Sequence, residues 1–280
     1  MNLTNLIYVL LGGLSGVVAT LLGRRFIKNA SKLSFFVAIL IIVTMGLIRV
    51  YLIPYYRATT YEYFVQRDDP AIALIAERYP KQFETYINNT KKSLFENESQ
   101  SIEQLYKINL LNIVTAQAML KASNASIYDV YQIEVELYKN LYEIDPKLVL
   151  FLEFSGQFRD KPNPNLIIIL GGGPDMIQRI VAAKEKVVLS AIKSPQPPMD
   201  IAQNKATEKM VSDIFAKISA SYGPDTFVNL TVKPDSPDID PKTAALMIIA
   251  FYSDILDKGV NQAGMIFKYL NTPEVKEAPH

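Results

Sequence analysis

The chain has no cysteine among its 280 residues, which excludes disulfides and thiolate metal sites. Its single histidine, His280, is the last residue of the sequence. The rest of the chain therefore has no imidazole for a catalytic triad, a general base or a metal ligand set. No serine stands in a G-x-S-x-G elbow, and there is no internal repeat. An excess of charge of one sign is missing too: 29 basic residues face 28 acidic ones, for a net charge of +1. A nucleic-acid partner needs a clustered basic face, so none is expected. No cofactor is expected either.

What is there begins with two long apolar runs. Residues 3–22 contain no charged side chain, and twenty such residues match the ~20 that a helix needs to cross a bilayer core of roughly 30 Å. No basic segment precedes this run, so a retained helix is expected rather than a cleaved signal peptide. Residues 33–53 form the second run, with Arg49 near its far end. An arginine there reads as an anchor reaching for the headgroups, beside an aromatic belt of Tyr51, Tyr55, Tyr56, Tyr61 and Tyr63. Between the runs lie Arg24, Arg25, Lys28 and Lys32 and no acidic residue. The positive-inside rule then puts this loop in the cytoplasm, and both the N-terminus and the large C-terminal part outside. Gly12 and Gly16 form a G-x-x-x-G pair for helix packing in the membrane.

From residue 57 onward 24 basic residues face 28 acidic ones, a balance of −4. A basic anchor is thus joined to a mildly acidic domain. The expected organisation is an anchor over residues 1–56, a helical extracytoplasmic domain over residues 57–271 and a disordered polar tail over residues 272–280. An extracytoplasmic domain without disulfides points to a bacterial inner membrane. The expected fold class is mainly α, a transmembrane hairpin followed by a bundle-like domain with little or no β. Asp68-Asp69-Pro70 reads as a helix start. A helix over residues 101–122 is apolar on many sides, as the centre of a bundle is. Ser126, with Asp129 three residues on, reads as the cap of the next helix. A last long helix over residues 241–270 starts at Asp240-Pro241 and is liable to split at Gly259 or Gly264.

Three features are candidates for function. On the helix after Ser126, Tyr128, Tyr131, Tyr138 and Tyr142 fall on one seam, either a docking surface for a partner or the core face of the helix. Glu153 lies in an unusually apolar run, where partial burial raises a carboxyl pKa. With Asp160 it is a candidate for paired-carboxylate hydrolysis, whereas Glu134 and Glu136, two apart on a helix, do not face each other. The third is Asn165 to Asp175, an apolar β-branched run followed by Gly171, Gly172, Gly173, Pro174 and Asp175. It resembles the dinucleotide-binding fingerprint of flavin and nicotinamide proteins over about ten residues. It departs from that fingerprint at Met176, where a third glycine belongs, and the next candidate strand, residues 226–232, comes only after two helices. The segment reads as a glycine turn leading into a helix.

The leading expectation is a non-catalytic envelope protein whose partners are the lipid bilayer and another protein or a second copy of itself. A membrane-tethered hydrolase and a nucleotide-binding domain at Gly171–Asp175 are the alternatives.

Overall fold

A computed structural model describes residues 3–96, 100–158 and 163–272. Among them the chain forms thirteen α-helices and no strand, the mainly α fold that the apolar spacing implies. It divides into two compact units, one of Met1–Ala73 with Phe83–Tyr106, the other of Leu74–Gln82 with Lys107–His280.

The first unit opens with α1 (Leu3–Phe26) and α2 (Ala30–Leu47), packed as a hairpin. Asn29 in the short turn caps α2, its Oδ1 accepting from the amides of Ser31 at 3.0 Å and Lys32 at 3.3 Å. The small side of α1 meets α2: Ala19 is fully buried, and a Cβ on Gly16 would touch Ile41 at 3.5 Å. The opposite faces stay uncovered, with Leu14, Leu21, Phe35 and Ile42 all exposed.

The second helix does not end where its apolar run ends. It passes through a π-turn, Ile48–Leu52, into α3 (Ile53–Asp68), so the expected span of residues 33–53 lies within a continuous helix from Ala30 to Asp68. Pro54 gives the π-turn a local cause. It has no N–H to donate, and its ring clashes with a carbonyl one turn earlier. The ladder widens around that gap, and the Ile53 amide donates to Ile48 five residues back. Beyond Asp69, whose carboxylate accepts from the amides of Ala71 and Ile72, α4 (Pro70–Arg78) and α5 (Pro80–Phe95) follow. In the first unit α3 and α5 are joined by Tyr61 and Tyr86, hydroxyl to hydroxyl at 2.6 Å, and by Lys91 to Glu62 at 2.7 Å.

The second unit is organised around α7 (Asn124–Ile144), which packs on α8 (Pro146–Glu153), α9 (Pro164–Lys193), α12 (Pro241–Leu256) and α13 (Val260–Leu270). Ser123 caps α7, accepting from the Ser126 amide, one turn earlier than the expected Ser126 cap. Ser126 instead turns its hydroxyl to Ser123 and Ser190. The bundle centre is α7 rather than the apolar helix α6 (Gln100–Ala118). Ile108, Leu111 and Val114 of α6 are buried, but Ile113 is 51% exposed. The region expected to form one last helix is two, separated at Gly259, whose φ of 83° is the left-handed region favoured by glycine. Helices α10 (Ile201–Tyr222) and α11 (Pro224–Val232) complete the unit. The candidate strand at residues 226–232 is thus helical.

Charge pairs run along the α7–α9 contact. Arg179 donates twice to Glu136, at 2.7 and 2.6 Å, while Lys186 reaches Asp129 at 3.3 Å. Arg179 and Glu136 are both about half exposed, and such pairs contribute on the order of 0–1 kcal/mol. Arg179→Ala is therefore expected to lower the midpoint of urea unfolding only slightly. The cost should shrink further in high salt.

Two described helices are long and apolar enough to cross a membrane. Ala30–Asp68 has a mean hydropathy of 2.6 with almost none of its apolar window buried, and Leu166–Lys193 has 1.4 with 39% buried. The second helix spends Ile168, Met176, Ile177, Ile180, Val187 and Val188 on the interior of its own unit.

Candidate functional site

Glu153 ends α8, a helix started by Asp145 and Pro146, where the Asp145 carboxylate accepts from the Lys147 amide. Its neighbours Val149 and Leu150 are buried, and this packing turns the C-terminal end of α8 towards α7 and α12. There the carboxylate meets two phenols. Tyr138 of α7 donates to Oε2 at 2.5 Å, and Tyr252 of α12 donates to Oε1 at 2.7 Å. One carboxylate therefore ties three helices together, with each oxygen taken by a hydroxyl.

An aromatic stack extends from this point. Tyr131 lies over Phe267 with centroids 3.5 Å apart and an interplanar angle of 8°, and Tyr252 is 5.7 Å from both Tyr131 and Tyr138. The Asn271 amide donates to the Tyr131 hydroxyl at 3.3 Å. Two of the four seam tyrosines, Tyr131 and Tyr138, thus make their contacts inside the bundle, while Tyr128 and Tyr142 are part exposed. The seam spacing is visible in the sequence. Its counterpart, Tyr252 and Phe267, lies more than 110 residues away and has no local signal.

The electrostatics follow from burial. Removal from water pushes the Glu153 carboxyl above its ordinary value of 4.5; the two tyrosine hydrogen bonds oppose the shift and the Glu134 charge adds to it. Desolvation, then the Glu153 charge, raises both Tyr138 and Tyr252. A carboxyl raised in the folded state favours the protonated native form. Its stabilising contribution is full below the ordinary value and is lost as pH climbs through the raised one. Glu153→Gln keeps the shape, accepting from one tyrosine and donating to the other hydroxyl. Its melting temperature relative to wild type is expected to rise as pH increases from about 4.5. A constant difference between pH 4 and pH 8 would contradict this assignment.

The other candidate acids are placed elsewhere. Glu134 faces Lys184 at 3.3 Å and Glu136 faces Arg179, while Asp160 lies outside the described residues. No group of three or more acidic, histidine or cysteine side chains able to hold a metal occurs among the described residues. Sequence reasoning missed Lys268, whose side chain is only 6% exposed and whose amine is lowered by desolvation.

The glycine segment takes a form different from the strand–turn–helix expected of a dinucleotide fingerprint. Residues 164–172 are helical, and α9 kinks at Gly173, with φ 61° and ψ −172°, before Pro174 restarts it. A short apolar run cannot be told from a buried helix by periodicity. Here Pro164 starts a helix, and Gly171 serves close contact with α7. A Cβ on Gly171 would lie 2.5 Å from Leu141 and 3.0 Å from Leu137 of α7. Gly173 supplies the positive φ, and Asp175 is exposed just beyond the kink. Gly12 and Gly16 both lie on α1, whose last turn carries the exposed Arg24 and Arg25, and Lys28 and Lys32 are exposed around the turn. No family model, curated protein or solved structure matches the chain.

Proposed function

We propose that the protein is a non-catalytic, membrane-anchored assembly component, held in the bilayer by α1 and α2 and binding another protein through its helical remainder. The observation that carries this reading is the outer surface of the hairpin. Phe35 and Ile42 of α2 are each 70% exposed, and Leu14 and Leu21 of α1 are exposed as well. Contiguous apolar surface of this kind is disfavoured in water by roughly 25 cal/mol per Å² and marks a membrane or protein contact. The basic turn with Arg24, Arg25, Lys28 and Lys32 supports an orientation with that end of the hairpin in the cytoplasm, by the positive-inside rule. The remainder of the chain then lies on the extracytoplasmic side of a bacterial inner membrane. Gly16 faces Ile41 of α2, so this glycine serves close packing within the hairpin itself.

The Glu153 site supports the same reading, because its carboxylate is spent on two tyrosines and serves as a structural tie. A hydrolase would need a second acid converging on it, yet Glu134, the acid whose charge acts on it, is already matched to Lys184.

The test is alkaline carbonate washing of membranes, followed by proteolysis of a C-terminal tag in intact spheroplasts. Retention in the washed pellet with the tag cleaved from outside is the expected result. Release into the wash would overturn the anchor. Protection until lysis would overturn the orientation.

A further inference from the structure

The π-turn between α2 and α3 shapes a groove of about 640 Å³ in the first unit, within the ~300–1,000 Å³ range of small-molecule sites. Its walls include Leu47, Ile48, Tyr51, Pro54 and Tyr55, and Phe95 at the end of α5 closes one side, edge to face with Tyr55 at 6.1 Å. Four of the nine lining residues, Thr44, Leu47, Pro54 and Tyr55, come from the turns on either side of the widened ladder. π-turns inside α-helices recur at functional sites because the extra residue opens the helix wall.

We propose that this groove holds one acyl chain of an anionic phospholipid, with the headgroup phosphate at Arg49. The inference rests on the membrane-anchored reading and adds a specific lipid to it. Three observations select this occupant. The groove lies where the strongly apolar stretch of the helix gives way to Tyr51, Tyr55 and Tyr56, the level at which aromatic belts meet headgroups. Its wall is almost wholly apolar, as an acyl chain requires and a polar solute does not. The local charge is positive: Arg49 is exposed in the π-turn itself, Arg57 follows two turns later, and no acidic residue occurs between Lys32 and Glu62. Across the fold Glu103 is near enough to feel Arg57, and Glu62 is matched to Lys91. Arg49 is therefore the residue assigned to the phosphate. An arginine suits that role because its planar fork binds phosphate oxygens in pairs.

The experiment uses the full chain in nanodiscs of phosphatidylcholine doped with phosphatidylglycerol. It is followed by transfer to detergent and native mass spectrometry of retained lipid. Wild type is expected to retain phosphatidylglycerol in preference to phosphatidylcholine. Arg49→Gln should reduce that preference about fivefold, the contribution of one basic residue at an anionic surface. Val50→Trp, which fills the groove, should abolish retention of either lipid, while Phe35→Trp on the same helix outside the groove should leave it unchanged. Equal retention of the two lipids by wild type overturns the proposal. So does loss of retention with Phe35→Trp as complete as with Val50→Trp. A chain that never enters nanodiscs overturns the anchored reading itself, a result distinct from a chain that inserts and retains no lipid.

Discussion

Replacing Phe267 with alanine is expected to remove about 3–5 kcal/mol from the stability of the second unit, the range for truncating a buried phenylalanine. Phe267 is 1% exposed and lies face to face with Tyr131, with Tyr252 6.1 Å away on a nearly parallel plane. The substitution removes the ring and leaves a cavity at the junction of α7, α12 and α13. Aromatic pairing of this kind adds about 0.5–1.5 kcal/mol beyond area burial, so the upper half of the range is expected. For a unit of this size the melting temperature should fall by roughly 10 °C. The sequence has 16 tyrosines and no tryptophan, so near-UV circular dichroism reports tyrosine packing, this stack included, without a tryptophan signal. A shift below about 1 kcal/mol in urea unfolding would mean that the stack is not formed as described. Phe267→Leu keeps most of the volume and should cost clearly less.

Gly264→Ala is expected to act by crowding instead. A Cβ at Gly264 would stand 2.4 Å from the Asn124 Cβ, 2.5 Å from its Cα and 2.8 Å from its carbonyl oxygen. The obstacle is backbone at the first residue of α7, which cannot swing aside as a side-chain tip can. Overpacking costs about 1–3 kcal/mol and sometimes more. Here the upper end is expected, with separation of α13 from α7 and loss of the Asn124 hydrogen bond to the Asn261 carbonyl. Gly264→Val should be worse. Gly46→Ala, where nothing lies within 4 Å of the new Cβ, is the comparison. Relief of glycine's helix penalty should leave it neutral or stabilise it by up to about 1 kcal/mol. Equal melting temperatures for the two alanine variants would overturn the close approach.

These two sites show what was legible in the sequence. Helix starts at Asp69-Pro70 and Asp240-Pro241 are local chemistry, and they form as read, with Asp240 accepting from the Thr243 amide at 3.0 Å. The two apolar runs were legible because charge and hydropathy vary along the chain at the scale of a helix. The run before Gly171 was not, since Ile167, Ile168 and Ile169 carry the same β-branched signature in a strand and in a buried helix. What decides between them is Leu141, thirty residues away, against which Gly171 packs. Glu153 stood out as a carboxylate among apolar neighbours. Its partner Tyr252 is 99 residues distant, and no local pattern announces such a pairing. Gly264 reads from sequence as a bend in a helix, and only the approach of Asn124 explains it. Position along the chain encodes periodicity and caps; contact between distant helices needs the fold.

The helix from Ala30 to Asp68 has 39 residues, a rod of roughly 58 Å at 1.5 Å per residue. Because no loop interrupts it, a tilt or rotation imposed on its apolar half is delivered at the level of Tyr61 and Tyr86. The π-turn sets the angular relation between the two halves of that lever. One extra residue in a turn offsets every later side chain by about 100° around the axis. Closing the π-turn into regular α-helix would re-aim the Tyr61 hydroxyl by that angle without melting the helix. A continuous rod of this kind carries the orientation set at its apolar end to the Tyr61–Tyr86 contact.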